Sequence, residues 1–358
     1  MLRKLPQYAR DVKRFTKRRN AICLEYLVMN SVYVTSRRAA ALAIASVLTI
    51  SAGVALAQGD YPSKPIRVMI PFAAGGALDA VGRPLGEAFQ RAVGQPWVIE
   101  NLGGAGGTIA TQQIARAPSD GYQLLLASNG QISVAPFVYA SLPYNPERDL
   151  VPIVHIADSS AVLYANINSP YRTVHDVIAK ARSAPGSLDF AHTGSGSVSH
   201  LAMELLAKEA KVKVTPVPYK GAGAALPDLA SGHVSLLFTY VSSARPLVEA
   251  GKVRPIAVAA EKRLESLPDV PTFAEAGLPQ VVAKLWIGLM APRGTPQLVV
   301  ERMAREVNGL LRTQDIRNRL EPQGLEIKGG SAKEFQQMIA EDAARWRNLS
   351  KVVDLSPK

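Results

Sequence analysis

Short apolar runs alternate with amphipathic helical periods through most of this chain, and this alternation limits its fold more than any other feature. Most of the ten runs have apolar residues at consecutive positions, which is typical of strands covered on both faces. The predicted strands lie at residues 66–70, 97–99, 122–127, 153–157, 161–165, 189–192, 215–217, 234–238, 256–260 and 285–290. Strands that alternate with helices predict an α/β fold with mainly parallel sheets.

Capping residues mark where several helices begin. Thr173 has Asp176 three positions further on and predicts a helix that ends at residue 183. Ser331 and Glu334 form a capping box before an apolar helical face. Residues 198–210 also show helical spacing of leucines.

Prolines constrain three of the predicted helices. Thr295 before Pro296 predicts a capping residue followed by a proline in the first turn. Pro84 and Pro227 fall inside helical patterns, and each predicts either a kink or a later helix start.

The N-terminal segment has the pattern of a secretory signal peptide. Residues 39–57 are apolar, follow Arg37 and Arg38, and end in an A-x-A site, which predicts a signal segment of residues 1–57 cleaved after Ala57. The stretch before Met29 is long and basic, so Met29 is a second candidate for the true start. A membrane anchor is an alternative to the signal, because a run of about 20 residues can span a bilayer. The two arginines also allow a twin-arginine export signal.

Charge and cysteine content narrow the class of protein. Residues 1–57 hold ten Lys or Arg and two Asp or Glu, which is +8 of the total +12, so the other 301 residues carry about +4. That small charge, without a basic stripe interleaved with aromatics, argues against nucleic-acid binding. The one cysteine, Cys23, lies in the predicted signal. The exported chain is therefore predicted to have no disulfide, thiolate metal site or cysteine nucleophile.

The predicted mature chain is long enough for two domains. Its 301 residues exceed the size at which a single core usually stops growing. No Ser- or Gly-rich linker separates an N-terminal half from a C-terminal half. We therefore expect the chain to cross between the two domains more than once, as in a hinged clamp.

Three glycine-rich loops each join a predicted strand to a predicted helix, at residues 71–76, 103–107 and 193–197. Glycines leave main-chain N–H groups uncovered, and a helix N-terminus adds partial positive charge, so such loops suit a small anion. A tight strand-to-helix turn without a ligand is the alternative. Asp79, close to the first loop, could pair with a cationic group on a ligand or cap the helix.

No recognisable catalytic set accompanies these loops. The loop at residues 103–107 fails the dinucleotide-binding pattern, because Ile109 occupies the position of the third glycine. The order of residues 194–198 fails the G-x-S-x-G pattern of a nucleophile elbow. The five histidines have no ligand spacing, so no metal site is predicted. A secreted hydrolase that uses Ser195 or Ser197 with His200 remains an alternative.

The motifs taken together resemble the extracytoplasmic solute receptors of tripartite tricarboxylate transporters, the TctC or Bug family. No single motif is specific, but their order along the chain is. The matching stretches are residues 61–66, 71–79, 101–107, 118–122, 194–201, 218–221, 267–272 and 275–277. Family members often have prolines at the positions of Ala73, Ala74 and Ala225, and these differences leave the ligand undetermined.

The resemblance implies a two-domain clamp of the periplasmic-binding-protein type (type II), with mainly parallel sheets and hinge strands. Domain 1 would comprise residues 58–157 and 285–358, and domain 2 residues 158–284. A carboxylate would be held in the cleft by main-chain groups and ordered water. The predicted ligand-binding residues are Phe72, Ala74, Gly75, Gly76, Asp79, Gly106, Gly107, Ser128, Asn129, Thr193, Gly194, Ser195, Gly196, Ser197, His200, Tyr219, Gly221 and Thr239.

These observations predict a periplasmic receptor, and no enzyme, that closes around a small organic acid and delivers it to the membrane permease subunits of the transporter. We expect a monomer that needs no cofactor, no metal and no nucleic acid. Two alternatives to this transport receptor remain: the secreted hydrolase, and a sensor that binds its ligand and docks onto a signalling partner.

Overall fold

The computed structural model describes residues 61–350, apart from the side chain of Leu349. The predicted signal segment, the possible start at Met29 and the predicted cleavage after Ala57 lie outside these residues. Within the described part, no helix has the length and apolar content needed to cross a membrane.

Each of the ten predicted strands is present, with boundaries that differ by a few residues. A short eleventh strand was not predicted. In chain order the strands are β1 (Ile66–Ile70), β2 (Trp97–Asn101), β3 (Gln123–Ser128), β4 (Leu150–Ser160), β5 (Val162–Asn166), β6 (Asp189–His192), β7 (Thr215–Pro218), β8 (Leu236–Thr239), β9 (Val253–Val258), β10 (Lys284–Pro292) and β11 (Leu325–Ile327).

Helices connect most of these strands, with a 3-10 turn at Ala105–Gly107 and a π-helical turn at Gly130–Val134. The α-helices are α1 (Ala77–Val93), α2 (Thr108–Ala115), α3 (Ala135–Val138), α4 (Pro146–Asp149), α5 (Val174–Ser183), α6 (Val198–Ala210), α7 (Ala222–Ser231), α8 (Val241–Glu249), α9 (Gln297–Leu311), α10 (Gln314–Leu320) and α11 (Ala332–Leu349).

The strands of the described part form two mixed sheets. The first has the order β11-β4-β10-β3-β1-β2 and the second the order β7-β6-β8-β5-β9. In the first sheet β1 to β4 run in one direction, while β10 and β11 run in the opposite one. In the second sheet β6 to β9 share a direction and β5 opposes them. The α/β class with mostly parallel strands is confirmed.

The chain passes from the first sheet to the second between β4 and β5 and returns between β9 and β10. Because parallel strands end at the same sheet edge, the loops after β1, β2 and β3 cluster at one edge of the first sheet. The loops after β6, β7 and β8 cluster in the same way at the second sheet. Nothing in this arrangement tests the predicted domain boundaries, which remain a prediction.

The capping predictions hold at two helices and fail at a third. Both side-chain bonds of the capping box are present at Thr173 and at Ser331. Thr295 was predicted to cap α9, but Pro296 is the capping residue, and the Thr295 hydroxyl donates to the carbonyl of Pro292 at 2.8 Å. The Thr295 side chain is therefore bonded within the turn that precedes α9 and does not cap the helix.

The two prolines inside helical patterns do not delay the helices that contain them. Helix α1 begins at Ala77, well before Pro84, and α7 begins at Ala222, well before Pro227. The later start that each proline allowed is therefore wrong.

Candidate ligand-binding site

The loop after β1 leads directly into a helix that lacks a side-chain cap. Gly75 has a φ of 83°, in the left-handed region, and the capping residue Gly76 makes no side-chain bond. The amides of Ala77 and Leu78 are first-turn donors with no partner inside the helix. Asn101 at the end of β2 supports the loop, because its Nδ2 donates to the carbonyl of Phe72 at 3.1 Å.

The loops after β2 and β6 touch each other. A Cβ atom added to Gly106 would lie 2.3 Å from the carbonyl oxygen of Ser195, and one added to Gly194 would lie 3.1 Å from Gly106 Cα. Tyr139 supports the contact by donating its hydroxyl to the Ser195 carbonyl at 3.2 Å. Larger residues at Gly106 or Gly194 would force the two sheet edges apart.

Two buried histidines support the loop after β6. The rings of His192 and His200 stack with their centroids 4.4 Å apart. Nδ1 of His192 accepts the Gly194 N–H at 3.3 Å, and Nδ1 of His200 accepts the Gly196 N–H at 3.2 Å. Burial, together with the nearby His200, lowers the pKa of His192 to about 4. His192 is therefore neutral at neutral pH, in the form that accepts the glycine N–H.

Three helices of the second sheet begin beside this loop. Ser197 caps α6 by accepting the N–H of His200 at 3.2 Å. Gly221 caps α7 and Tyr240 caps α8, in both cases without a side-chain bond. Each helix thus presents first-turn amides that have no acceptor within the helix.

A cavity lies between the two clusters of loops. The N-termini of α1, α6, α7 and α8 all contribute to its wall, so four positive helix ends converge there. Its lining residues are Ile70, Phe72, Ala73, Gly76, Ala77, Leu78, Asp79, Ser128, Gly130, Thr193, Ser197, Val198, Ala222, Tyr240 and Leu285.

Asp79 is the one charged residue among these lining residues. Its Oδ2 accepts from Arg83 Nε at 2.8 Å and from the Gly75 N–H at 3.2 Å. Its Oδ1 accepts from Asn101 Nδ2 at 3.2 Å. Of the two roles left open by the sequence, the structure gives Asp79 contacts that brace the helix start and its loop.

The predicted site residues fall into three groups in this geometry. Six line the cavity: Phe72, Gly76, Asp79, Ser128, Thr193 and Ser197. Ala74 and Gly75 line a broader adjoining groove that shares Gly76 and Asp79. The remaining ten do not line the cavity: Gly106, Gly107, Asn129, Gly194, Ser195, Gly196, His200, Tyr219, Gly221 and Thr239.

Several members of the third group have contacts within the protein. Asn129 Nδ2 donates to the carbonyl of Lys284 at 2.8 Å, while its Oδ1 and the Thr239 hydroxyl are buried without a hydrogen-bond partner among the described residues. The hydroxyl of Tyr219 donates to Asp228 at 2.6 Å and ties the loop to α7. Burial, followed by this bond, raises the pKa of Tyr219 to about 12.

Sequence reasoning missed lining residues whose side chains are apolar. Ala77, Leu78, Val198 and Ala222 stand at or next to the first position of their helices. Their contribution is the main-chain amide, so residue type gives no signal. The available signal was position, since each lies within two residues of the loop residue that ends a strand-to-helix turn.

The serine and histidine side chains are not arranged as a nucleophile and its base. Nδ1 of His200 is occupied by the Gly196 amide, and its Nε2 faces Glu204 Oε1 at 3.6 Å. The Ser197 hydroxyl is engaged at the start of α6. Within residues 61–350, no group of three His, Cys, Asp or Glu side chains could hold a metal ion.

Comparison with known proteins adds to this geometry. Residues 81–355 match the model of the tripartite tricarboxylate transporter family receptor. The UPF0065 protein of the tcbD-tcbE intergenic region in Pseudomonas sp. (strain P51) is 37% identical over 314 residues, which are 87% of this chain and 93% of the relative.

Two solved structures of similar proteins contain a bound acid. Rpa4515 of R. palustris with adipate superposes with a TM-score of 0.79 at 34% identity, over 82% of this chain and 98% of the other. MatC (Rpa3494) of Rhodopseudomonas palustris with bound malate gives a TM-score of 0.77 at 34% identity, over 81% of this chain and 100% of the other.

Proposed function

This chain belongs to the tripartite tricarboxylate transporter receptor family, and we propose that it binds a small organic carboxylate in the cavity between its two sheets. Receptors of this family are periplasmic solute-binding proteins, and relatives bind carboxylates. The observation that carries the proposal for this chain is the convergence of four helix N-termini on one cavity.

Helix ends supply the attraction that lysine or arginine supplies in other anion sites. Each N-terminus carries about half a positive charge and several donors without partners, and favours an anion by up to about 2 kcal/mol when partly buried. The cavity lining contains no Lys or Arg. A carboxylate bound there would accept N–H bonds that the helices cannot satisfy themselves.

In this proposal the carboxylate is bound mainly by first-turn amides of the helices and less by the amides of the loop glycines. Gly75, Gly194 and Gly196 already donate their N–H groups to Asp79, His192 and His200. The Gly107 N–H donates to the carbonyl of Gly104 at 2.9 Å. The amides of Ala77, Leu78, Val198 and Ala222 are the donors that we assign to the ligand. In this role the glycines shape the loops so that these helix starts can meet.

Ligand entry requires the two loop clusters to separate. In this structure the main-chain N–H of Ala73 is hydrogen-bonded to the carbonyl of Lys220, and this bond joins the two loop clusters beside the cavity. We place the hinge at the two passages of the chain between the sheets, β4 to β5 and β9 to β10, so that each sheet moves as a lobe. The closed receptor would then deliver its acid to membrane permease subunits as a monomer.

A ligand screen tests this proposal directly. Mono-, di- and tricarboxylates, including adipate and malate, are titrated while the melting temperature of the exported protein is followed, and the matching amides serve as neutral controls. A true ligand at about 100 times its Kd should add about 2.7 kcal/mol of stability. Failure of every acid, or equal stabilisation by the amides, would contradict the proposal. Labelling of Ser195 or Ser197 by a serine-directed covalent probe would favour the hydrolase alternative.

A further inference from the structure

We propose that the Tyr240 hydroxyl selects acids that carry a second oxygen group, by donating a hydrogen bond to that group inside the cavity. This inference rests on the proposed function, and it concerns which carboxylates the cavity accepts. It assigns Tyr240 the role of a specificity-determining residue, in contact with the part of the ligand that the first-turn amides do not hold.

Tyr240 has a fixed position in the cavity wall. It is the single residue between β8 and α8, and it lines the cavity. Its carbonyl accepts the N–H of Ser243 at 3.0 Å and the N–H of Ala244 at 3.1 Å, which fixes its main chain at the helix start. The residue is 6% exposed, so its ring is packed inside the protein. The side chain is therefore placed before a ligand arrives.

The Tyr240 hydroxyl makes no hydrogen bond with any group of residues 61–350. Burial alone raises the pKa of this phenol, without a contribution from a neighbouring charge or hydrogen bond, so the group is neutral at neutral pH and can donate its proton. Buried hydroxyls are usually hydrogen-bonded, because an unpaired one costs free energy. A buried donor that lines a ligand cavity and has no protein partner therefore indicates a partner on the ligand.

The other hydroxyl groups of the lining suit this role less well. Ser128 Oγ already donates to Gln131 Oε1 at 2.9 Å, and the Ser197 hydroxyl caps α6. The hydroxyl of Thr193 has no hydrogen bond among the described residues, but an aliphatic hydroxyl is a weaker donor than a phenol, whose proton is more acidic. Tyr240 is therefore the strongest side-chain donor that the lining offers to a ligand.

Much of the remaining side-chain surface of the cavity suits an alkyl chain. Its large apolar side chains are those of Ile70, Phe72, Leu78, Val198 and Leu285. A second oxygen group placed against such side chains would lose its hydration without compensation. A hydrogen bond from Tyr240 offsets that loss, whereas an alkyl acid leaves the Tyr240 hydroxyl unpaired. The arrangement favours the acid with the second oxygen over an alkyl acid of the same length.

Tyr240→Phe removes the hydroxyl and keeps the ring. Because no hydrogen bond within the described part of the protein is lost, we expect a melting temperature without ligand that equals or exceeds that of the wild type. Tyr164→Phe is the matched control. Tyr164 lies in β5, is also buried, and has no hydrogen bond from its hydroxyl to the described residues, but it does not line the cavity.

The experiment compares acids of equal chain length: adipate and 6-hydroxyhexanoate with hexanoate, and succinate and 4-hydroxybutanoate with butanoate. Kd values are measured by calorimetry on the exported protein and on Tyr240→Phe, Tyr164→Phe and Thr193→Val. In the set that binds more tightly, we expect the wild type to prefer an acid with a second oxygen over the alkyl acid by at least about tenfold. Tyr240→Phe should reduce that preference by at least about fivefold and leave the affinity for the alkyl acid unchanged. Tyr164→Phe should keep the wild-type preference.

The outcomes separate this inference from the proposed function. If the wild type binds alkyl acids as tightly as acids with a second oxygen, the inference fails while the proposed function stands. An unchanged preference in Tyr240→Phe also overturns it, and a preference lost only in Thr193→Val would assign the contact to Thr193 instead. Equal weakening of all acids in Tyr240→Phe would mean that the hydroxyl shapes the cavity without contacting the second oxygen. If the wild type binds no acid of the wider carboxylate screen, the proposed function fails and the inference fails with it.

Discussion

The main-chain N–H of Ala73 donates to the carbonyl of Lys220 at 3.1 Å. Ala73 follows a strand of the first sheet and Lys220 follows a strand of the second, so this bond joins the loops of the two sheets beside the cavity. Next to it, a Cβ atom added to Gly223 would lie 2.0 Å from the carbonyl oxygen of Ala74. The main chains of the two loops therefore approach each other closely beside the cavity.

Gly223→Ala should prevent closure without weakening the fold. Gly223 lies near the start of α7, where alanine favours the helix by about 0.5–1 kcal/mol over glycine. The added methyl group cannot coexist with the Ala74 carbonyl in the closed form. We expect an unchanged or higher melting temperature without ligand and at least about tenfold weaker binding of the acid.

Gly309→Ala is the matched control for that variant. Gly309 lies in α9, and an added Cβ there would meet no atom within 4 Å. It should keep the wild-type affinity. Equal affinities of the Gly223→Ala and wild-type proteins would show that the contact between Gly223 and Ala74 is not needed for binding.

Ser197→Ala should reduce both stability and affinity. The Ser197 hydroxyl caps α6, and loss of such a cap costs about 1 kcal/mol. Ser197 also lines the cavity. Ser331→Ala removes the equivalent cap of α11, which does not line the cavity. In urea unfolding the two variants should lose similar stability. Calorimetry should find weaker binding of the acid in Ser197→Ala alone. Weaker binding in both variants would mean that lower stability, and not the lost contact at the cavity, reduces the affinity.

His192 should make the fold sensitive to mild acid. Burial, together with His200, lowers its pKa to about 4, below the unfolded value of 6.5. The unfolded chain then binds the proton more readily than the folded chain. The contribution of neutral His192 to stability is therefore complete above pH 6.5 and is lost as the pH falls through 4. The full loss from this group is about 3 kcal/mol, at 1.36 kcal/mol per pKa unit.

Asparagine at position 192 tests this pH dependence, because it retains an acceptor for the Gly194 N–H but does not titrate. Urea unfolding from pH 4 to 7 should show a shallower slope for His192→Asn than for the wild type. His233→Asn, a substitution at an exposed position, should keep the wild-type slope. Parallel slopes for all three proteins would place the acid sensitivity elsewhere.

Asp342 should be needed to hold the C-terminal helix against the first sheet. Its two oxygens accept the indole N–H groups of Trp286 at 2.8 Å and of Trp346 at 2.9 Å, and both rings are buried. Asp342→Ala leaves both donors without a partner, which should cost about 2–4 kcal/mol in urea unfolding. Asp342→Asn retains one acceptor and should lose less; equal losses would argue against this pairing.

Much of the fold was predictable because local patterns decide it. Runs of consecutive apolar residues located ten strands, and capping boxes at Thr173 and Ser331 located two helix starts. The strand Leu325–Ile327 was missed because it has only three residues and Glu326 lies at its centre. Its pairing depends on contact with β4, which no local pattern can express.

The candidate site was predictable only in part, because its donors are main-chain groups. Glycines identified the loops, but the sequence could not show that His192 and His200 already accept two of the glycine amides. It also gave no sign that Val198 and Ala222 would reach the same cavity. That meeting depends on how two sheets, formed by distant parts of the chain, approach each other.

A crystal structure with the tightest acid of the screen tests the central claim most directly. The account predicts that carboxylate oxygens lie about 2.7–3.2 Å from the first-turn amides of Ala77 or Leu78 on one wall and of Val198 or Ala222 on the other. An acid held in the broader adjoining groove, which Arg83 and Arg319 line, with those four amides directed away from it, would contradict the account.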